Sequence, residues 1–384
     1  MPPLRRRHGL ATTALHGGRG AAAAGTPLVS PIQQSVNFVQ QIGVEDDARY
    51  PRYGGHPNAE LLQQRLALLE GAEAALVVGS GMGATACALL ALLRPGDHLV
   101  ASAWSDRSTY LLLTRELEPM GIDVTLVDPH EPRGWRKAIG KKTRALYLES
   151  PVNPTCRLID LKPVSHLAKD NGLALVVDSS MASPILIRPL EHGADVVVHS
   201  ASRFLNGHGD AVLGVLVGTA PFVEEARQKM MVWGQAPDPF ACWLLERGLK
   251  TLDVRMRRAS DTAARVATWC ATRPDIERVH YPGLEAHRDH ELARSMMDGF
   301  GAILGFELAN ASAAARFLRR LKLVGHAPHP GGVETVICEP RVTSHAHLTA
   351  QRRAELGAPD GFLRLSVGLE DPVDLIADFE QALR

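Results

Sequence analysis

The sequence predicts an α/β fold: a mostly parallel sheet with helices on both faces, followed by a smaller α+β region. Three observations predict it. Six short apolar runs recur between about residues 72 and 220: Ala74–Val78, His98–Ala101, Asp123–Val127, Ala145–Leu148, Leu173–Val177 and Asp195–Val198. Helical patterns lie between them, such as Leu161–Asp170 ahead of Gly172. Strands spaced by helices pair in parallel and are buried on both faces, which suits continuous apolar runs. After Pro282 the pattern turns mixed and closes with Phe362–Val367 and a last helix.

In chain order, residues 1–59 are rich in Gly, Pro and Ala and read as an extended arm. Gly25 to Pro31 would run over a surface, a neighbouring subunit's included. Leu62, Leu66 and Leu69 follow the spacing of an amphipathic helix that stops at Gly71. Residues 60–255 form the large domain, and Pro239–Arg258 reads as one long connecting helix. Residues 256–384 form the C-terminal α+β domain.

The 384 residues suffice for a substantial core, and a formal net charge of zero argues against nucleic-acid or membrane-surface binding. The basic start Arg5-Arg6-Arg7-His8 has no apolar run behind it and does not read as a secretory signal. No apolar run approaches a membrane span. Five scattered cysteines without a CxxC pair argue against a disulfide framework or a zinc site and fit a cytoplasmic protein.

Ligands of open parallel sheets bind beyond the carboxyl ends of the strands. Four candidate groups fall there. Ser80, Gly81 and Met82 follow a strand and open a helix, where small residues and the helix dipole suit an anion such as phosphate; a tight turn chosen for packing explains them about as well. Asn153, before Pro154 in a segment that must be extended, can bond a ligand oxygen or simply form a turn. Asp178 ends a strand and can pair with a protonated ring nitrogen or cap the next turn. Ser200 and Ser202 can bind phosphate oxygens or serve as turn residues.

Order and setting add what single motifs lack. Ser80-Gly81-Met82, Glu149-Ser150-Pro151 with Asn153-Pro154, Asp178, and Ser200-Ala201-Ser202 with Asn206-Gly207-His208-Gly209-Asp210 resemble the Cys/Met-metabolism family of enzymes that use pyridoxal 5′-phosphate (PLP). The likeness extends to Tyr50-Pro51-Arg52-Tyr53-Gly54 and to Arg364-Leu365-Ser366-Val367-Gly368. It implies PLP fold type I, like that of aspartate aminotransferase. It also implies roles. Gly81 and Met82 amides with Ser200 and Ser202 would hold the phosphate, and Tyr50 and Arg52 would reach it from a neighbouring subunit. The protein would therefore be a homodimer or homotetramer. Asp178 would face the pyridine nitrogen, Asn153 the ring hydroxyl and the substrate carboxylate, and Arg364 would grip that carboxylate. The bland alternative for Arg364 is a surface ion pair with Glu370.

The chain departs from the family pattern on the reactive side. Arg203 stands where the family carries its Schiff-base lysine, and a guanidinium stays protonated. Asp106 falls on the family's ring-stacking tyrosine, and His329-Pro330-Gly331 replaces Ser-Leu-Gly near the substrate carboxylate. Trp104 lies close enough in sequence to cover the ring. The resemblance then implies PLP held non-covalently or as an external aldimine, with Arg203 and Asp106 as the catalytic candidates and His329 beside the substrate. The substrate would be a sulfur amino acid or a relative, undergoing elimination or replacement at the β or γ carbon. The alternative is a non-catalytic or weakly active homologue that binds PLP or pairs with a lysine-bearing paralogue.

Overall fold

A computed structural model describes residues 8–20, 23–44 and 49–384; Arg5 to Arg7 lie outside them. Its large sheet has seven strands: β1 (Ala74–Val78), β2 (His98–Ser102), β3 (Asp123–Val127), β4 (Thr143–Glu149), β5 (Ala174–Asp178), β6 (Val196–Ser200) and β7 (Gly214–Gly218). Their order is β1-β7-β6-β5-β4-β2-β3. Six of them match the predicted runs to within two residues at each end. The seventh, β7, is new and runs antiparallel to both β1 and β6. Its sequence, Gly-Val-Leu-Val-Gly, is short and bounded by glycines, so it lacked the helical spacer that marked the others.

Side-chain alternation divides this sheet between two cores. Val77, Leu146, Leu175 and Val197 point into one, and Leu76, Tyr147, Val176 and Val198 into the other. Both faces are thus covered, as parallel strands require. The helix Pro57–Glu70 starts at His56, whose Nδ1 accepts from Asn58 N–H at 3.3 Å, and stops at Gly71 with φ +73°. Its predicted leucines are all buried.

The second sheet has five strands: β8 (Arg278–His280), β9 (Ile303–Glu307), β10 (Gly325–His326), β11 (Val336–Cys338) and β12 (Phe362–Ser366), in the order β10-β11-β12-β9-β8. The expected single helix Pro239–Arg258 is two, Pro239–Leu249 and Leu252–Ala271. The break has a local cause. The carbonyl of Gly248 accepts the Thr251 N–H at 3.2 Å and the Arg255 guanidinium at 2.8 Å, which diverts the helical ladder. The second helix then spans both sheets' cores, burying Leu252 and Met256 in one and Val266 and Cys270 in the other. Among the described residues no helix is long and apolar enough to cross a membrane.

Candidate active site

The carboxyl ends of β1, β4, β5 and β6 converge on a pocket of about 650 Å³. Ser80, after β1, caps the helix Gly81–Leu92 by accepting the Gly83 N–H at 3.0 Å. Gly81 closes on β6 so tightly that a Cβ there would stand 2.7 Å from the Ser200 Cβ. On β5, Asp178 accepts the Ser180 N–H at 2.9 Å, and the Ser180 hydroxyl accepts the Ser200 N–H at 2.6 Å. The helix start, the Asp178 strand end and Ser200 are therefore one connected frame. Ser202 also lines the pocket, yet its hydroxyl exchanges two bonds with the backbone of Leu213. That pair ties the Arg203 loop to the entry of β7.

Arg203 lines the pocket with its guanidinium toward Asp106, Nη2 to Oδ2 3.9 Å, while Nη1 donates to the Met181 thioether at 3.5 Å. Its Nε is buried without a partner. Asp106 caps the short helix Arg107–Leu111 through Ser108 N–H and lines the same wall. Two departures that were distant in sequence are thus neighbours in space. His329 completes the wall. Burial first, then the positive charges of Arg203 and Arg364, hold its imidazole below the usual histidine value. His345, from the C-terminal domain, is buried and pushed down to about 4, chiefly by desolvation. No lysine is among the residues lining this pocket; Lys141, Lys142 and Lys162 are exposed elsewhere.

The remaining candidates lie outside this lining. Asn153 is in a turn, as one of its two readings had it, because the Val152 carbonyl accepts the Cys156 N–H at 2.8 Å and closes the chain on itself. Asn153 and Arg364 do not line the pocket surface. They pair with each other, Arg364 Nη1 donating to Asn153 Oδ1 at 3.0 Å, and both are buried. Glu370 makes no ion pair with Arg364, since its carboxylate accepts from the Thr335 N–H and hydroxyl. Tyr50 and Arg52 do not line the pocket of their own chain. Arg52 lies over the Tyr50 and Tyr53 rings and donates to the Met231 carbonyl. Trp104 faces another groove, of about 890 Å³, where it packs on His130 at 4.7 Å; that groove holds none of the predicted site residues.

Among the lining residues given no role in the sequence reading, Glu149 is the most enclosed acid. Glu149 ends β4 directly beside Asp178 on β5 and is 3% exposed. The signal was available: two acidic residues each end an apolar run, and adjacent parallel strands end together.

The family described as Cys/Met metabolism PLP-dependent enzyme matches residues 11–384. An L-methionine γ-lyase of Fusobacterium nucleatum subsp. polymorphum is 38% identical over 391 residues, covering 98% of each chain. A cystathionine β-lyase of Bacillus subtilis is 38% identical over 373 residues, 96% of this chain and 93% of the other. A cystathionine γ-synthase structure from Xanthomonas oryzae pv. oryzae, in complex with aminoacrylate and cysteine, superposes with TM-score 0.93 at 34% identity, covering 98% of each chain. With the pocket at the strand ends and a match over almost its whole length, the chain belongs to the Cys/Met-metabolism family of PLP-dependent enzymes.

Proposed function

We propose that the protein binds PLP in the 650 Å³ pocket and acts on a sulfur amino acid or a relative by elimination or replacement at the β or γ carbon, through a site without a cofactor-linking lysine. The observation that carries the reading is Arg203. It lines the pocket beside Asp106, and the lining contains no lysine. The reaction class comes from the relatives, named as methionine γ-lyase, cystathionine γ-synthase and cystathionine β-lyase.

The residues present suit the cofactor. The first-turn N–H groups of Gly81 and Met82 have no place in their own helix ladder and favour an anion. Gly81 packs so closely on Ser200 that a Cβ would not fit, which keeps the helix start open to an anion. Asp178 is held by Ser180 and would face the pyridine nitrogen. Bound PLP supplies an electron sink for bonds broken at the substrate. The chain's own groups do the rest. Arg364, held behind the wall by Asn153 and the Pro328 carbonyl with its Nε unpartnered, would turn toward the α-carboxylate when substrate enters. A guanidinium is no proton donor in this chemistry, unlike an amine. Arg203 would hold negative charge, leaving proton transfer to Asp106 and His329. Tyr50 and Arg52 would complete the phosphate contacts from a second copy.

The test is an absorption scan of PLP-loaded protein followed by borohydride reduction and mass spectrometry. The expected result is a cofactor that gel filtration removes and that reduction leaves unattached to the chain. Cofactor fixed to a lysine would overturn the lysine-free reading, and failure to bind PLP would overturn the cofactor reading. Arg203→Lys is expected to gain the covalent adduct.

A further inference from the structure

Glu149 is the most enclosed acid of the pocket. It is 3% exposed, whereas the Asp106 side chain keeps 27% of its surface. Its register partner across the parallel ladder is Asp178, so the two carboxyl groups leave neighbouring strand ends on the same face. Both line the same cavity. Glu149 Oε2 accepts the Asp106 N–H at 3.3 Å and Oε1 accepts the Asn153 N–H at 3.4 Å. Both bonds are long, both come from neutral donors, and neither is the close cationic partner that a buried carboxylate needs. Asp178 is better served, with its 2.9 Å bond from Ser180.

The charged and titratable groups around Glu149 are Asp178 from β5, Asp106 and Arg203 from the loops, and Tyr147 two residues back on β4. Three acids thus face one guanidinium, and that guanidinium leans toward Asp106. Two adjacent carboxylates in a desolvated site do not both ionise. We propose that Glu149 carries a proton in the pocket, so that a carboxylic O–H stands at the strand end next to Asp178. Burial first, then the Asp178 charge, raises the Glu149 carboxyl well above the usual carboxylate range.

The arrangement gives a lysine-free pocket two things that Arg203 cannot. The charge of Asp178 stays where the ring nitrogen would sit, undiluted by a second anion. A transferable proton is stored at the pocket wall, released by breaking the Glu149 O–H bond and regained from solvent through the pocket mouth. Its use in turnover rests on the PLP reading above, but its existence does not.

The closing experiment therefore uses the full-length protein without cofactor. Infrared difference spectra between wild type and Glu149→Gln at pH 7 are expected to show a neutral-carboxyl stretch that the variant loses and that shifts in heavy water. In Asp178→Asn the same band is expected to titrate away at lower pH than in wild type, because the like charge is gone. Absence of the band at pH 7, or a titration indifferent to Asp178→Asn, would overturn the proposal. Melting provides a measurement that needs no spectral assignment. The unfolded glutamate ionises near 4.3 and the folded one higher, so the folded state binds more protons between those values and stability falls as pH rises through the window. Glu149→Gln should remove that fall, and equal pH slopes in the two proteins would also count against a proton on Glu149. A protein that fails to bind PLP yet keeps the band would sink the functional reading alone.

Discussion

Gly81 carries the sharpest steric constraint in the site. Its missing Cβ would meet the Ser200 Cβ at 2.7 Å and the Ser200 Cα at 2.9 Å, both beside backbone that cannot swing away. Gly81→Ala is therefore expected to open the anion cradle. Overpacking of this kind costs about 1–3 kcal/mol, and PLP affinity should fall by about tenfold or more, since 1.4 kcal/mol is roughly a factor of ten. Calorimetric titration with PLP checks it, with Gly140→Ala as the control because nothing lies within 4 Å of that position. Unchanged affinity in Gly81→Ala would remove the cradle from the argument. The glycine was legible in the sequence as a residue before a helix. Its reason was not, because Ser200 lies 119 positions away in a chain whose ends are joined only by the fold.

At the scale of elements, the loop after β6 depends on the helix Leu252–Ala271. Arg255, buried on that helix, donates to the carbonyls of Phe204 at 2.7 Å, Leu205 at 3.2 Å and Gly248 at 2.8 Å. Gly207 makes room for it, since a Cβ there would collide with the guanidinium. Arg255 is lowered to about 10 by burial and remains charged near neutral pH. Arg255→Met keeps the length and apolar bulk but leaves buried carbonyls unpaired. The expected cost is about 3 kcal/mol, read as a lower melting temperature, with faster amide exchange over residues 203–207. A variant as stable as wild type, with unchanged exchange in that loop, would show that the loop holds itself. This helix is also where sequence reading went astray. Its apolar periodicity continues across Lys250 and Thr251, and the break comes from local bonds to the Gly248 carbonyl that periodicity does not register.

Across the whole molecule, the arm from Leu28 to Val44 leaves Leu28, Val29, Val36, Val39 and Ile42 exposed, with Tyr50 and Tyr53 following. An apolar segment of this size is expected to be covered by another protein surface, and the proposed reach of Tyr50 and Arg52 into a second pocket makes that surface another copy. Sedimentation should give a mass of at least twice the 41.5 kDa of one chain; a monomer at micromolar concentration would leave Tyr50 and Arg52 without their proposed role. The sequence by itself determined the α/β architecture, because strand and helix periods are local. It also pointed to Ser80, Gly81, Met82, Asp178, Ser200, Ser202 and Arg203, which line one pocket, because each follows an apolar run and ligands bind beyond strand ends. Only the tertiary structure decided which acids and bases meet. Arg203 with Asp106, Arg364 with Asn153, and Glu149 with Asp178 are pairs made by strand order and loop closure. Their electrostatics follow from burial, which no run of neighbouring residues encodes.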